Sequence, residues 1–457
     1  MKRTNIFEEL SRQKKEIEYY KEQATIWQNK YYEVVKELKE IKKLLNQFLN
    51  ANTPPSKLPP QFKTTPNKRP EKGTVPKGKP LGSPGATKKY PEKFDRKINV
   101  RIPSQCQRCG KKLDKKIVHR HVYDIIFQKI VTEFAIEESV CECGEHHIGT
   151  HSELPERGML GYKLQAFVTE LKHNFAGSYE KISRFLKSLF GVCFTQTAIN
   201  DCIKRVAEQL EFSYENLEKQ LPTTKQFNGD ETSWLVNGIH WYLWLFATTN
   251  FIFIHIINSR ARRVITDLFG ESYQGVCSSD CYRAYKSFAK QYQKDWIHLL
   301  RKVYFEKNKY PKEDICELYD KLSNLYQAMK EFLAGNPLIK EREKKYRIFE
   351  KQLRKLRNYQ WESKSAQNIV KNWLVEYDGH WLTAIFIPGV TLDNNIAERG
   401  IRKVIPWRKL LGGHRTRQGA KNFSIIETHR QTWRMNGKST YSALVDHLSN
   451  RRKKIVL

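Results

Sequence analysis

Apolar residues along the first 48 positions recur in alternating steps of four and three, which predicts a coiled-coil helix over residues 6 to 48. One seam runs Leu10, Ile17, Ala24, Tyr31, Leu38, Leu45; the other runs Ile6, Gln13, Tyr20, Trp27, Val34, Ile41, Phe48. Gln13 alone breaks the pattern, and no Gly or Pro interrupts it. A homodimer follows as the expected assembly; a single amphipathic helix packed on the body is the other reading. The periodicity then stops. Residues 51–97 hold ten of the seventeen prolines and twelve Lys/Arg against three acids, a composition for a semi-extended tether rather than a core. Its charge suits phosphates, and a solvated linker that touches nothing fits it equally.

From residue 98 the pattern is that of small, then larger, folded units. CQRCGKKL at 106–113 and CECGEHH at 141–147 bracket a stretch that reads as two strands. Four thiolates, Cys106, Cys109, Cys141 and Cys143, would surround a structural Zn²⁺ in place of a hydrophobic core. The second turn is C-x-C, one residue short, so His146 or His147 is an alternative ligand; ordinary reduced cysteines are the plain reading. Residues 160–220 read as helical, and a Gly191-to-Thr195 turn with Thr195 as helix cap resembles a helix-turn-helix, a pattern that plain helical hairpins share.

After Pro222 the period changes. QFNGDETSWLV, the Asn237-Gly238 turn, HWYLWLFATT and FIFIHIINS predict three antiparallel strands. RARRVITDLFG predicts a helix, GVCSSD a strand ending at Asp280, and YRAYKSFAKQY another helix. A polar helical insertion occupies 300–377, and DNNIAERGIR opens a late helix with Asp393 as its cap. The expectation is a multidomain α/β protein: 1–50 coiled coil, 51–97 linker, 98–155 zinc-ribbon-like knuckle, 156–222 helical DNA-binding region, 223–299 and 378–457 the two parts of one α/β core.

Charge narrows the partners. Lys+Arg is 81 against 49 Asp+Glu, a formal net charge of +32, which favours nucleic acid or an anionic membrane surface. No run approaches the roughly 18 apolar residues of a membrane span, the basic segments lack a bulky apolar face, and the start lacks a signal-peptide core. A cytoplasmic, nucleoid-associated DNA-binding protein is expected. Of the nine cysteines, the five outside the two turns read as buried small hydrophobes.

Three carboxylates stand where chemistry is possible: Asp230 in the first strand, Asp280 at the end of the fourth, Glu398 in the first turn of the late helix. Each has a plain explanation as a turn, a cap or an ion-pair partner of Arg402. Together they suit Mg²⁺ or Mn²⁺, which take hard oxygen ligands, and two such ions serve in-line phosphoryl transfer. Glu398 heads a run of seven cations without an acid: Arg399, Arg402, Lys403, Arg408, Lys409, Arg415 and Arg417. Asn394, one turn earlier, would orient Glu398 or touch DNA.

GDETSW (229–234), SSDCYRAY (278–285), HLLRK (298–302), DNNIAERGIRKVI (393–405) and GGHRTRQGAKNFSIIETHRQTWRMNG (412–437) resemble the bacterial insertion sequence 66 family of transposases. The resemblance extends to the order of heptad, tether and Cys knuckle. It implies a DDE triad of Asp230, Asp280 and Glu398 in an RNase H-like core with two divalent ions, zinc in the knuckle, and DNA-end binding by the N-terminal region. It also implies cleavage at the terminal inverted repeats of an element and joining of 3′ ends to target DNA; whether accessory proteins encoded by that element take part is left open by the sequence. An inactive or domesticated DNA-binding protein, and a nuclease without strand transfer, are the alternatives. Two positions depart from the family: the C-x-C turn, and Lys294-Asp-Trp-Ile-His298 where a Cys-x-x-His turn is usual.

Overall fold

The computed structural model describes residues 2–48 and 95–450, apart from 106, 114, 115, 118, 121, 123–127 and 312. The chain divides into two units, residues 1–125 and 126–457. In the first, helix α1 (Lys2–Phe48) runs unbroken for 47 residues, and Ile17, Tyr20, Trp27, Tyr31 and Val34 of the predicted seams are exposed. The predicted tether lies almost entirely outside the described residues.

The second unit opens with a short antiparallel ribbon, β1 (Glu138–Val140) and β2 (His146–Ile148). It closes around the second Cys turn alone. The two strands expected between the Cys turns are not formed by the described residues of that stretch, which lack regular pairing until Glu138. Three helices follow: α2 (Tyr162–His173), α3 (Tyr179–Phe190) and α4 (Gln196–Gln220). Gly191 ends α3 in the left-handed conformation that glycine adopts without a Cβ penalty, and the Thr195 side chain accepts from Ala198 N at 3.1 Å to start α4.

The central sheet has strand order β5-β4-β3-β6-β7. Strands β3 (Gln226–Val236), β4 (Ile239–Thr248) and β5 (Ile252–Ile257) form an antiparallel meander. Asn237 and Gly238 both have positive φ, as a two-residue hairpin turn demands. Helix α5 (Arg263–Phe269) leads to β6 (Tyr273–Ser279), which joins β3 in parallel, and β7 (Ala289–Lys294) joins β6 in parallel. The helix predicted over YRAYKSFAKQY is not there. A 3₁₀ turn at Arg283–Tyr285 and strand β7 replace it, because Tyr292, Gln293 and Lys294 gain more from pairing with Cys277, Ser278 and Ser279 at the buried sheet edge than from a local helix.

Side chains alternate across the sheet and feed two cores. Phe227, Trp244, Phe246 and Phe253 face α2–α5. Trp234, Leu243, Leu245 and Ile254 face α11 (Asn395–Leu411) and the start of α12 (Arg417–Met435). Helix α12 is buried continuously from Phe423 to Trp433. It seals the free edge of β5: Thr432 Oγ1 accepts from Ile252 N at 3.0 Å, and Thr428 Oγ1 accepts from Ile254 N at 2.9 Å. Backbone donors that would otherwise template another strand are thus satisfied. The insertion has its own core of Trp296, Leu322, Leu353 and Trp381. It comprises α6 (Trp296–Lys309), α7 (Ile315–Ala334), α8 (Ile339–Asn358), α9 (Lys364–Ile369), a π-helical turn at Val370–Val375 and the short α10 (Thr383–Phe386). Helix α13 (Thr440–Ser449) ends the described chain.

Candidate active site

Strand alternation decides what Asp230 and Glu231 each do. Asp230 lies opposite Leu245 on the face that receives α11, and Glu231 lies opposite Trp244 on the other face. Glu231 is committed there: Arg260 donates to its Oε1 at 2.7 Å and Tyr285 Oη to its Oε2 at 3.0 Å. Among the described residues no cation pairs with Asp230, and its Oδ1 accepts from Glu231 N at 2.9 Å. Burial, then the charges of Glu231 and Asp280, and further the charge of Glu398, push its pKa well above the usual carboxylate range. A half-buried acid crowded by like charges is a site that a cation would relieve.

Asp280 follows the last residue of β6, in parallel register beside β3, where Asn228 pairs with Ser278. Its Oδ1 accepts from Tyr282 N at 2.9 Å, an Asx turn that sets the side chain at the strand end. Beneath it lies Lys294, a lysine only 1% exposed. Lys294 Nζ donates to Asp280 O at 2.9 Å and to Ser279 Oγ at 3.1 Å, tying β7 to the end of β6.

Glu398 is in the first turn of α11, as expected, and half-buried. The helix packs tightly on the sheet: a Cβ on Gly400 would meet Leu245 Cδ1 at 2.6 Å. The N-cap is Asn394, one residue beyond the expected Asp393; Asp393 Oδ1 instead accepts from Asn395 N at 3.1 Å. Asn394 is 1% exposed and its Nδ2 donates to Gly229 O at 2.7 Å. It therefore fastens α11 to the residue before Asp230 and offers no surface to DNA. Asn394→Ala is expected to cost about 1–3 kcal/mol in denaturant unfolding, the price of a lost buried hydrogen bond.

Glu398 has two neighbours. Its Oε2 accepts from Arg402 Nη2 at 2.7 Å, and its Oε1 lies 3.6 Å from His298 Nδ1. Asp295, His298 and Glu398 are the group of possible metal ligands that lie within 4.8 Å of one another among the described residues. Asp295 is largely spent, because it caps α6 by accepting from Ile297 N at 2.8 Å and holds His298 Nδ1 at 2.7 Å. Burial opposes protonation of His298, but the hydrogen bond and charge of Asp295, with the charge of Asp280, raise its pKa above the ordinary value. The same ring nitrogen, Nδ1, faces Glu398. The Asp295-x-x-His298 spacing at a helix start was the sequence signal for this pair.

Of the expected DNA contacts, Arg399, Arg402, Lys403, Lys409, Arg415 and Arg417 are exposed. Arg408 is half-buried and donates to Thr232 Oγ1 at 2.9 Å, so its first role is to hold α11 to β3. In the Cys turns, Cys109, Cys141 and Cys143 are exposed, and Cys106 lies outside the described residues. Hydrogen bonds from the backbone and thiol of Cys143 lower the pKa of Cys141, the direction that favours a thiolate. No helix among the described residues is long and apolar enough to cross a membrane.

The model of the family described as Transposase IS66 family matches residues 157–422, more than half of the chain. No curated protein matches it.

Proposed function

The chain belongs to the IS66 transposase family, and from that premise we propose that it is a DDE-type enzyme that cuts DNA at the ends of an insertion sequence and joins the 3′ ends to a target. The supporting observation is the placement of the three carboxylates on neighbouring elements: Asp230 in β3, Asp280 directly after the parallel neighbour β6, and Glu398 in the first turn of α11, which packs on the face of the sheet that carries Asp230. On this reading the sheet and α11 form an RNase H-like core. Asp230, Asp280 and Glu398 would hold Mg²⁺ or Mn²⁺: all three offer hard oxygen, and no cation pairs with Asp230 among the described residues, while of the three only Glu398 belongs to the group of ligand atoms that already lie within 4.8 Å of one another. When bound, such ions supply a nucleophilic oxygen and neutralise charge on the leaving oxygen.

The protein's own residues do the positioning. Asn394 and Gly400 fix the height of Glu398 over β3. His298 and Arg402 hold its carboxylate from two sides. Lys294 holds the backbone that carries Asp280. Arg399, Lys403, Lys409, Arg415 and Arg417 lie beyond Glu398 in sequence on exposed positions and would grip the phosphate backbone. Phosphoryl transfer depends mainly on such alignment and charge neutralisation.

The remaining assignments extend the same proposal. Cys106, Cys109, Cys141 and Cys143 would bind a structural Zn²⁺, α2–α4 would contact the terminal repeats, and α1 would pair two copies along its exposed apolar seam. Deleting residues 1–50 is then expected to halve the mass measured by sedimentation; an unchanged mass would remove the coiled-coil dimer.

The test of the main proposal uses labelled DNA carrying the ends that flank the gene, incubated with the protein and Mg²⁺ or Mn²⁺. Cut ends and end-to-target products are expected. Cut ends without joined products would leave a nuclease; binding with neither, even with the element's accessory proteins added, would leave a DNA-binding regulator.

A further inference from the structure

The helical insertion carries a charged surface that the chemistry above does not use. On α8, Arg347, Lys351 and Lys355 follow one another at four-residue intervals and are exposed. Each interval rises about 6 Å along the helix. Among the described residues none of the three pairs with a carboxylate, whereas their neighbours do: Glu350 takes Arg354 and Arg357. Like charges at this spacing repel by about 0.2–0.5 kcal/mol per pair, so the row weakens the helix unless an anion covers it.

The row lines an open groove of about 1110 Å³ shared with Lys321 of α7, Tyr346 and Tyr359. Tyr359 is 51% exposed, yet its ring is braced edge-on against the buried Trp361 at 4.7 Å, and Lys321 Nζ stands 5.5 Å from its centre. A line of cations with a fixed, solvent-facing aromatic ring is the chemistry that tracks a phosphate backbone and stacks an unpaired base.

We propose that this groove binds single-stranded DNA, with phosphates along Arg347, Lys351 and Lys355 and a base on Tyr359. A protein partner suits it poorly, because its lining sets Lys321, Arg347, Lys351, Arg354 and Lys355 against the single acid Glu350, and Leu356 is its only aliphatic residue. The proposal does not depend on the three carboxylates. It gives the insertion a task for any strand that is unpaired during cutting or joining.

The test is photocrosslinking of the full chain to a short oligodeoxythymidine strand containing 5-iododeoxyuridine, followed by peptide mapping. An adduct at Tyr359 or Tyr346 is expected. In the variant Arg347→Gln/Lys351→Gln/Lys355→Gln the adduct should fall at least tenfold, and the salt slope of strand binding should drop by about 2, three phosphates at about 0.7 each. Its thermal transition should stay or rise, because repulsion is relieved. Adducts confined to other segments, or a triple variant with unchanged adduct and slope, would overturn the proposal. Competition by duplex DNA as strong as by single strand would also overturn it. Glu398→Gln should keep the adduct in full, so failure of the groove and failure of the catalytic assignment are read separately.

Discussion

Glu398→Gln is expected to abolish divalent-ion-dependent cutting of element ends while leaving folding and DNA binding nearly intact. Loss of one charged ligand removes about 4 kcal/mol of transition-state stabilisation, about a thousandfold in rate. Stability should not suffer. The substitution loses the ion pair with Arg402 and the charge contact with His298, but it also removes one of the negative charges that crowd Asp230, and the two effects offset each other. The thermal midpoint should therefore stay or rise slightly, as expected where function holds like charges together. Arg402→Gln is the control. It breaks the same ion pair but keeps the carboxylate, so it should cut DNA with weakened binding. Equal loss of cutting in both variants would mean that Glu398 serves only to hold Arg402, and the triad would fall.

Arg430→Met should be the most destabilising single change outside the hydrophobic cores. Arg430, 1% exposed, donates to Glu170 Oε2 at 2.9 Å and to Glu427 Oε1, and Glu427 also accepts from His173 Nδ1 at 2.9 Å. This network joins α12 to α2 inside the protein. Removing the cation strands two acids, a loss of about 3–5 kcal/mol, to be measured by denaturant unfolding followed by tryptophan fluorescence.

The pH dependence separates this cause from simple loss of packing. Burial opposes ionisation of Glu427, but Arg430 and His173 outweigh it and bring its pKa to about 2. A depressed carboxylate stabilises above its unfolded pKa, and that stability is lost as pH falls from about 4.5 toward 2. Burial lowers the pKa of His173, which also costs stability below its usual titration range. The wild type should thus weaken steadily in acid. In Arg430→Met, Glu427 loses its main counter-charge, its pKa rises, and acidification through pH 4 should cost less than in the wild type. Parallel pH profiles would show that packing, not charge, carries the effect.

Much of this was legible in the residues. The heptads mark α1, the Asn237-Gly238 turn marks the hairpin, and Thr195 marks the start of α4, because each rests on local steric or capping rules that neighbours in sequence satisfy. Carboxylates within one strand, at the end of another and at a helix head, followed by a run of cations, mark a candidate site for the same reason. The family motifs are local strings too, and they identify a transposase.

Other features depend on partners far away in the chain. YRAYKSFAKQY has helical propensity, but a vacant edge on β6 draws its second half into β7. Asn394 reads as a surface residue, yet its partner is Gly229, 165 positions away. Glu231 adjoins Asp230 in the chain, but the pleat turns it to the other face, to Arg260 and Tyr285. His298 comes to face Glu398, Lys294 comes to lie under Asp280, and Arg430 meets Glu170 only once α6, β7 and α12 are packed. Local propensities operate over a few residues, whereas burial and charge pairing operate between elements. The sequence by itself therefore determined most of the elements and the family, and pointed to a candidate site, and only tertiary packing decided which carboxylate is paired, which has no counter-charge among the described residues, and what holds each in place.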